Sequence, residues 1–182
     1  MTAIDGRMRR GTRNREAIVN ALLGCYEAGD LRPTVSDVAA RAGVSARSVH
    51  NHFEDVEALR AEVAQRQWER YAPLLAQVID VEELLTNRIE FFEAVSPVRR
   101  AALLSLHDSP TIARNLARLD RLLRRQLEKL FVGMDQDILD ALDLALSWDA
   151  WNRLRNAQGC SIARARRVLE RTIHQLTEGS AS

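Results

Sequence analysis

Residues 34 to 53 constrain this chain more than any other stretch, because they prescribe two short helices joined by a turn with no slack. Thr34 with Asp37 three residues on reads as a capping box, in which hydroxyl and carboxylate each satisfy an amide that a first helical turn leaves unbonded. Val35, Val38, Ala39 and Ala42 then fall at i, i+3, i+4 and i+7, the apolar face of a two-turn helix. Gly43 supplies the left-handed conformation of a sharp turn without a Cβ penalty of roughly 1–2 kcal/mol. Ser45 is an N-cap, and the segment it opens, Ala46 to His52, has one inward apolar position at Val49 before Phe53. Ala39 stands where the two helices cross most closely, and Ala46 leaves the second helix free to approach a partner.

A short helix, a glycine turn and a second short helix with a polar face form the helix-turn-helix used to enter the DNA major groove. Ordinary helical hairpins also place Gly and Ser caps at these positions, so the spacing alone admits both readings.

The remainder predicts helices too. At 182 residues, 46% hydrophobic and 28% charged, the chain can bury a core, which excludes disorder and collagen. Only 8 Gly and 4 Pro punctuate it, which favours long helices with short joints over strands linked by turns. Ile18, Leu22 and Cys25, flanked by Val19, Leu23 and Tyr26, predict a helix over 13–28 that Gly29 stops. A fourth helix runs from Glu54 past Trp68, with Leu59, Val63 and Trp68 inward, until Pro73 breaks it. Further helices are predicted over 82–95, 98–106, 110–131, 136–157 and 161–177, about nine in all.

The net charge of +1 hides regional differences. Residues 1–53 carry eight Arg against five acids, residues 54–108 six against eleven, and residues 109–182 twelve basic against nine acidic groups. A basic N-terminal excess points only weakly to nucleic acid, since most local surpluses merely solvate a surface. Cys25 and Cys160 belong to no metal-ligand spacing, so no metal or other cofactor is expected and the chain reads as a reduced, intracellular protein. Met1 to Arg10 lack an apolar core segment and no run of about 18 apolar residues occurs, which makes the cytoplasm the expected location.

Residues 13–59 resemble the N-terminal domain of the TetR family of bacterial transcriptional regulators. The residues that carry the resemblance are Ile18, Ala21, Tyr26 and Gly29, the run from Thr34 to Ser45, then Val49, His52, Phe53, Glu57, Ala58 and Leu59. The resemblance implies a homodimer whose paired helix-turn-helix units occupy successive major grooves of a palindromic operator, released when a small molecule binds the C-terminal domain. Two positions depart from the family pattern: His50 stands where Tyr is common and Val56 where Lys is common, both residues that touch the DNA backbone and help fix register. On this reading the chain is all-α, with a flexible basic arm over 1–12, a three-helix helix-turn-helix domain over 13–55, and a helical effector-binding and dimerisation domain over 56–182.

Within the first domain, Thr34 and Ser45 are candidates to cap their helices and donate to phosphate. Arg47, Ser48 and Asn51 form the candidate base-reading surface, with the small Ala46 as a further DNA-binding candidate that allows close approach: Arg addresses guanine O6 and N7 together, and Asn addresses adenine N6 and N7. Arg47 is the main candidate, and His50 is expected to meet a phosphate. Arg7, Arg9, Arg10 and Arg13 can replace the phosphate contact that Val56 lacks, each such contact changing the salt slope by about 0.9.

In the second domain, Ile138, Leu142, Ala145, Leu146, Trp148, Trp151 and Leu154 wrap more than one face of the predicted helix over 136–157. Ile162, Ala165, Leu169, Thr172, Ile173 and Leu176 form a single stripe on the last helix. A two-sided helix beside a one-sided terminal helix suits a symmetric four-helix interface, so Leu142, Leu146, Ile162, Leu169 and Ile173 are the candidate dimerisation residues. The stretch from Trp148 to Leu176, with Trp151, Arg155, Gly159, Ala163 and Leu169, also resembles the dimerising end of TetR-like regulators. Trp68, Phe91, Phe92, Leu103, His107, Trp148 and Trp151 are candidates for a largely apolar effector pocket, although core filling gives the same clustering.

The basic stripe of Arg114, Arg118, Arg121 and Arg125 is read as solvated or paired with the acidic segment after it. His107 and Asp108 are adjacent on the chain, with no nucleophile or metal motif beside them, and an enzyme is not expected. The sequence therefore predicts a DNA-binding regulator, most simply a repressor. The alternative is a TetR-like dimeric adaptor that binds a partner protein and has lost specific DNA binding, motivated by His50 and Val56; an adaptor has no reason to keep Arg47, Ser48 and Asn51.

Overall fold

The computed structural model describes residues 3–75, 78–104, 106 and 110–178. Among them it is all-helical, with nine α-helices: α1 (Ala3–Glu27), α2 (Val35–Ala42), α3 (Ala46–His52), α4 (Val56–Tyr71), α5 (Val81–Leu103), α6 (Pro110–Leu130), α7 (Gln136–Ala145), α8 (Trp148–Asn152) and α9 (Ile162–Glu178). A 3-10 turn, Ala72–Leu75, follows α4 where Pro73 ends it, and a π turn, Arg153–Ala157, extends α8. No described helix is long and apolar enough to cross a membrane.

The nine expected helices and the nine observed ones are not the same nine. Residues 3–12, expected as a flexible arm, are helical and continue into α1. The helices predicted over 82–95 and 98–106 are one, α5, with Pro97 inside it. Proline withdraws the donor to the Glu93 carbonyl but leaves the neighbouring turn intact, and Ser96 Oγ donates to the Phe92 carbonyl there. The helix predicted over 136–157 is broken after Ala145, because Ser147 caps a new helix by accepting from the Ala150 amide at 3.1 Å.

The chain divides into two compact units: residues to Arg70 with Pro97–Leu106, and Tyr71–Ser96 with residues from His107 onward. The expected division after residue 55 separates α4 from α1–α3. In the structure Leu59 and Val63 of α4 share the first unit's core with Ile18, Leu22, Val38 and Val49.

The second unit is filled by Phe91 and Phe92, whose rings meet edge to face at 6.1 Å, by Leu123 and Leu127 of α6, and by Trp148 and Trp151. Arg88, 2% exposed, sits among them. Its guanidinium donates to Gln126 Oε1 at 3.1 Å, to the Leu146 carbonyl at 3.0 Å and to the Leu123 carbonyl. Burial brings its pKa down to about 10, so it is charged at neutral pH while joining α5, α6 and the end of α7. Burial raises the neighbouring Asp143 carboxyl, with Arg124 and Arg88 opposing. Cys25 in the first unit and Cys160 in the second are free, buried thiols.

Candidate nucleic-acid interface

The α2–α3 turn is built by the residues whose local chemistry predicts it. Thr34 Oγ1 accepts from the Asp37 amide at 3.2 Å, and the Thr34 amide donates to Asp37 Oδ2 at 2.9 Å, closing the capping box. The Thr34 hydroxyl and then its amide hold the Asp37 carboxyl below the usual carboxylate range. Gly43 has φ +67°, which lets the Val44 amide donate to the Ala39 carbonyl at 3.0 Å. A β-carbon at Gly43 meets nothing within 4 Å, so the turn needs glycine for its backbone and not for space. Ser45 Oγ accepts from the Ser48 amide at 3.1 Å and starts α3 at a fixed point.

On α3, Val49 is 3% exposed and enters the core, whereas Ala46, Arg47, His50 and Asn51 are exposed. At 100° per residue those four lie within about 140° of one another, a single outward face. Arg47 and Asn51 stand on it with nothing bulkier than Ala46 at its leading edge. Ser48 is half-buried at its margin. Arg10 and Arg13 on α1, Thr34 and Ser45 are also exposed, and all nine candidate DNA-contacting residues belong to the first unit. Val56, half-buried, opens α4, whose first turn is capped by Asp55 Oδ1 accepting from the Ala58 amide at 2.7 Å.

The far end of α3 is held by a residue that the sequence does not advertise. Arg15 of α1 donates from Nη1 to the His52 carbonyl at 2.7 Å and from Nη2 to Glu62 Oε2 at 3.1 Å, with its guanidinium carbon 4.3 Å from the Phe53 ring centre. A second arginine, Arg41 of α2, lies on Gly24 of α1 so closely that a β-carbon there comes within 2.6 Å of Arg41 Nε. Both contacts tie the two short helices to α1.

The dimerisation candidates need correction. Leu142, Leu146, Leu169 and Ile173 are buried inside the protomer, where they pack the second unit's core, and have no side-chain surface to offer a second copy. Of the five, only Ile162 is open, at 44%. Apolar surface lies instead at Leu144, 75% exposed because it is two residues out of phase with Leu142 on α7, and at Val168. Trp151 and Arg155 close an internal bracket: Trp151 Nε1 donates to Glu93 Oε1 at 2.8 Å, and Arg155 grips both Glu93 oxygens at 2.9 and 3.2 Å.

Among the effector candidates, Phe91, Phe92, Trp148 and Trp151 are fully buried in the second unit, and Trp148 Nε1 donates to Ser96 Oγ at 2.9 Å. Trp68 and Leu103, half-buried, belong to the first unit. His107 lies outside the described residues. The acidic α7 pairs with α6 through Asp140 and Arg124 at 2.7 Å, one position from Arg125 of the basic stripe.

No protein-family model matches the chain, and no curated protein matches it. Solved structures do. The chain is similar to a transcriptional regulator from a Rhodococcus species, with a TM-score of 0.69 and 18% identity over 91% of this chain and 96% of that one. It is similar to a Mesorhizobium loti protein assigned to the TetR family, with a TM-score of 0.64 and 18% identity, covering 92% of this chain and 96% of the other. A TetR/AcrR-family regulator from Aquifex aeolicus gives a TM-score of 0.65 and 16% identity over 90% and 99% of the two chains. The fold is therefore that of the TetR-type transcriptional regulators.

Proposed function

We propose that the protein is a sequence-specific DNA-binding transcriptional regulator that works as a homodimer on a palindromic operator. The observation that carries this reading is the outward face of α3. Arg47 and Asn51 stand exposed on a helix fixed by the Ser45 cap at one end and by Arg15 at the other. Phosphate contacts come from Arg10, Arg13, Thr34, Ser45 and His50, which share the exposed surface of the same unit. Two copies join through the second unit, where Leu144, Ile162 and Val168 are apolar and open. Repression, and release from the operator by a largely apolar small molecule, are the regulatory mode that the resemblance supports.

The test is selection of bound duplexes from a random DNA pool, then a salt titration of the winner with wild type and Arg47→Ala. A palindromic winner is expected, with Arg47→Ala losing about 1–3 kcal/mol of discrimination at one base pair per half-site. If no sequence emerges and residual binding disappears at modest salt, the regulator reading fails and the adaptor reading replaces it.

A further inference from the structure

Between α1 and α4, wholly within the first unit, lies a half-open cleft of about 200 Å³ lined by Val19, Asn20, Leu23, Val63, Arg66, Gln67 and Arg70. Its floor is apolar, with Val19 and Val63 buried. Its lining carries two guanidinium groups, one helical turn apart on α4, and no carboxylate. The nearest acid to Arg66 is Glu62, at 3.4 Å, and Glu62 is shared with Arg15 at 3.1 Å, so one negative charge serves two positive ones. Gln67 is 8% exposed, and its Oε1 has no hydrogen-bond partner among the described residues. A buried acceptor left unmet is rare and costly in a folded protein. Gln67 lines the cleft and the last torsion of its side chain is soft, so the terminal amide can turn its unmet oxygen toward a donor bound there.

We propose that this cleft binds a small one-ring organic acid carrying a hydroxyl group. The carboxylate pairs with Arg66 and Arg70, the ring rests on Val19, Leu23 and Val63, and the hydroxyl donates to Gln67 Oε1. The size fits: a dry apolar cavity of about 150 Å³ accommodates benzene, and the extra volume here takes the two polar substituents. The site is a property of α1 and α4 alone and holds whether or not α3 reads DNA.

The experiment titrates the full chain with 2-, 3- and 4-hydroxybenzoate, with benzoate, which lacks the donor, and with phenol, which lacks the acid. Binding is followed by calorimetry and by the side-chain amide NMR signals of Asn20 and Gln67. At least one hydroxybenzoate is expected to bind at one per chain, to move both amide signals, and to bind about tenfold more tightly than benzoate, with phenol weaker still. Gln67→Leu, which removes the unmet acceptor at similar size, is expected to keep or raise the melting temperature and to erase the advantage over benzoate. Arg66→Gln is expected to weaken the hydroxybenzoate and benzoate alike. The proposal is overturned if no hydroxybenzoate binds folded wild type at millimolar concentration, if the amide signals of Asn20 and Gln67 stay still, or if Gln67→Leu leaves the advantage unchanged.

Discussion

The guanidinium of Arg15 is bonded to the carbonyl of His52, 37 positions later, at 2.7 Å, so the last turn of α3 is finished by a side chain from α1. Helix C-termini leave carbonyls without partners, and a cation placed there meets both the free oxygen and the negative end of the peptide dipoles. The Ser45 cap fixes one end of α3 within three residues; Arg15 fixes the other across the unit.

Arg15→Met is expected to lower stability by about 1–2 kcal/mol in urea denaturation. The loss comes mainly from the carbonyl bond and the Phe53 stack, since the partly exposed ion pair with Glu62 contributes under about 0.5 kcal/mol. Glu62→Gln therefore costs much less than Arg15→Met. Equal losses would show that the ion pair, and not the end of α3, is what Arg15 serves.

At Gly24 two effects oppose each other. Alanine gains about 1 kcal/mol of helix propensity but displaces the Arg41 guanidinium, the flexible end of an exposed side chain. Gly24→Ala should raise stability by about 0.5 kcal/mol, whereas Gly24→Val, with two more carbons in the same space, should lower it by about 1–3 kcal/mol. Thermal melts of the two variants decide the order.

Asp37 gives a pH dependence with a definite sign. Its folded pKa is depressed by Thr34, so the stability it contributes is complete above the ordinary carboxylate range and is lost as pH falls through the depressed value. In Thr34→Val the carboxyl should titrate higher, nearer its ordinary value, as followed by carboxyl NMR, and the acid limb of the stability curve should flatten in that window.

Leu142 and Leu144 separate core from surface on one helix. Leu142→Ala is expected to cost about 2–5 kcal/mol of stability, and Leu144→Glu to leave the melting temperature of the protomer nearly unchanged while shifting the sedimentation of the proposed dimer toward monomer. A Leu144→Glu variant that still sediments as a dimer would move the interface elsewhere.

The helix-turn-helix is legible in the sequence because its determinants are local: Thr34 with Asp37, Gly43 and Ser45 each act within five residues. The same locality explains the failures. Pro97 reads as a stop when the packing that keeps α5 continuous is out of view, and Ser147 is overlooked as a start because apolar residues surround it. An apolar stripe states that a face is buried without stating against what, so Leu142 and Leu169 pass for interface residues when they are core. Arg15, Gln67 and Arg41 carry no local signal, and their roles depend on which helices meet.

The two thiols offer a use for one feature of this fold. Cys25 and Cys160 are both free and buried, and they belong to different compact units. Under mild denaturant each can be labelled only when its own surroundings open. Two labelling rates, read by mass spectrometry on the unmodified chain, therefore time the opening of each unit separately. Coincident rates mean that the protein opens as one body, and distinct rates give the order in which its halves let go.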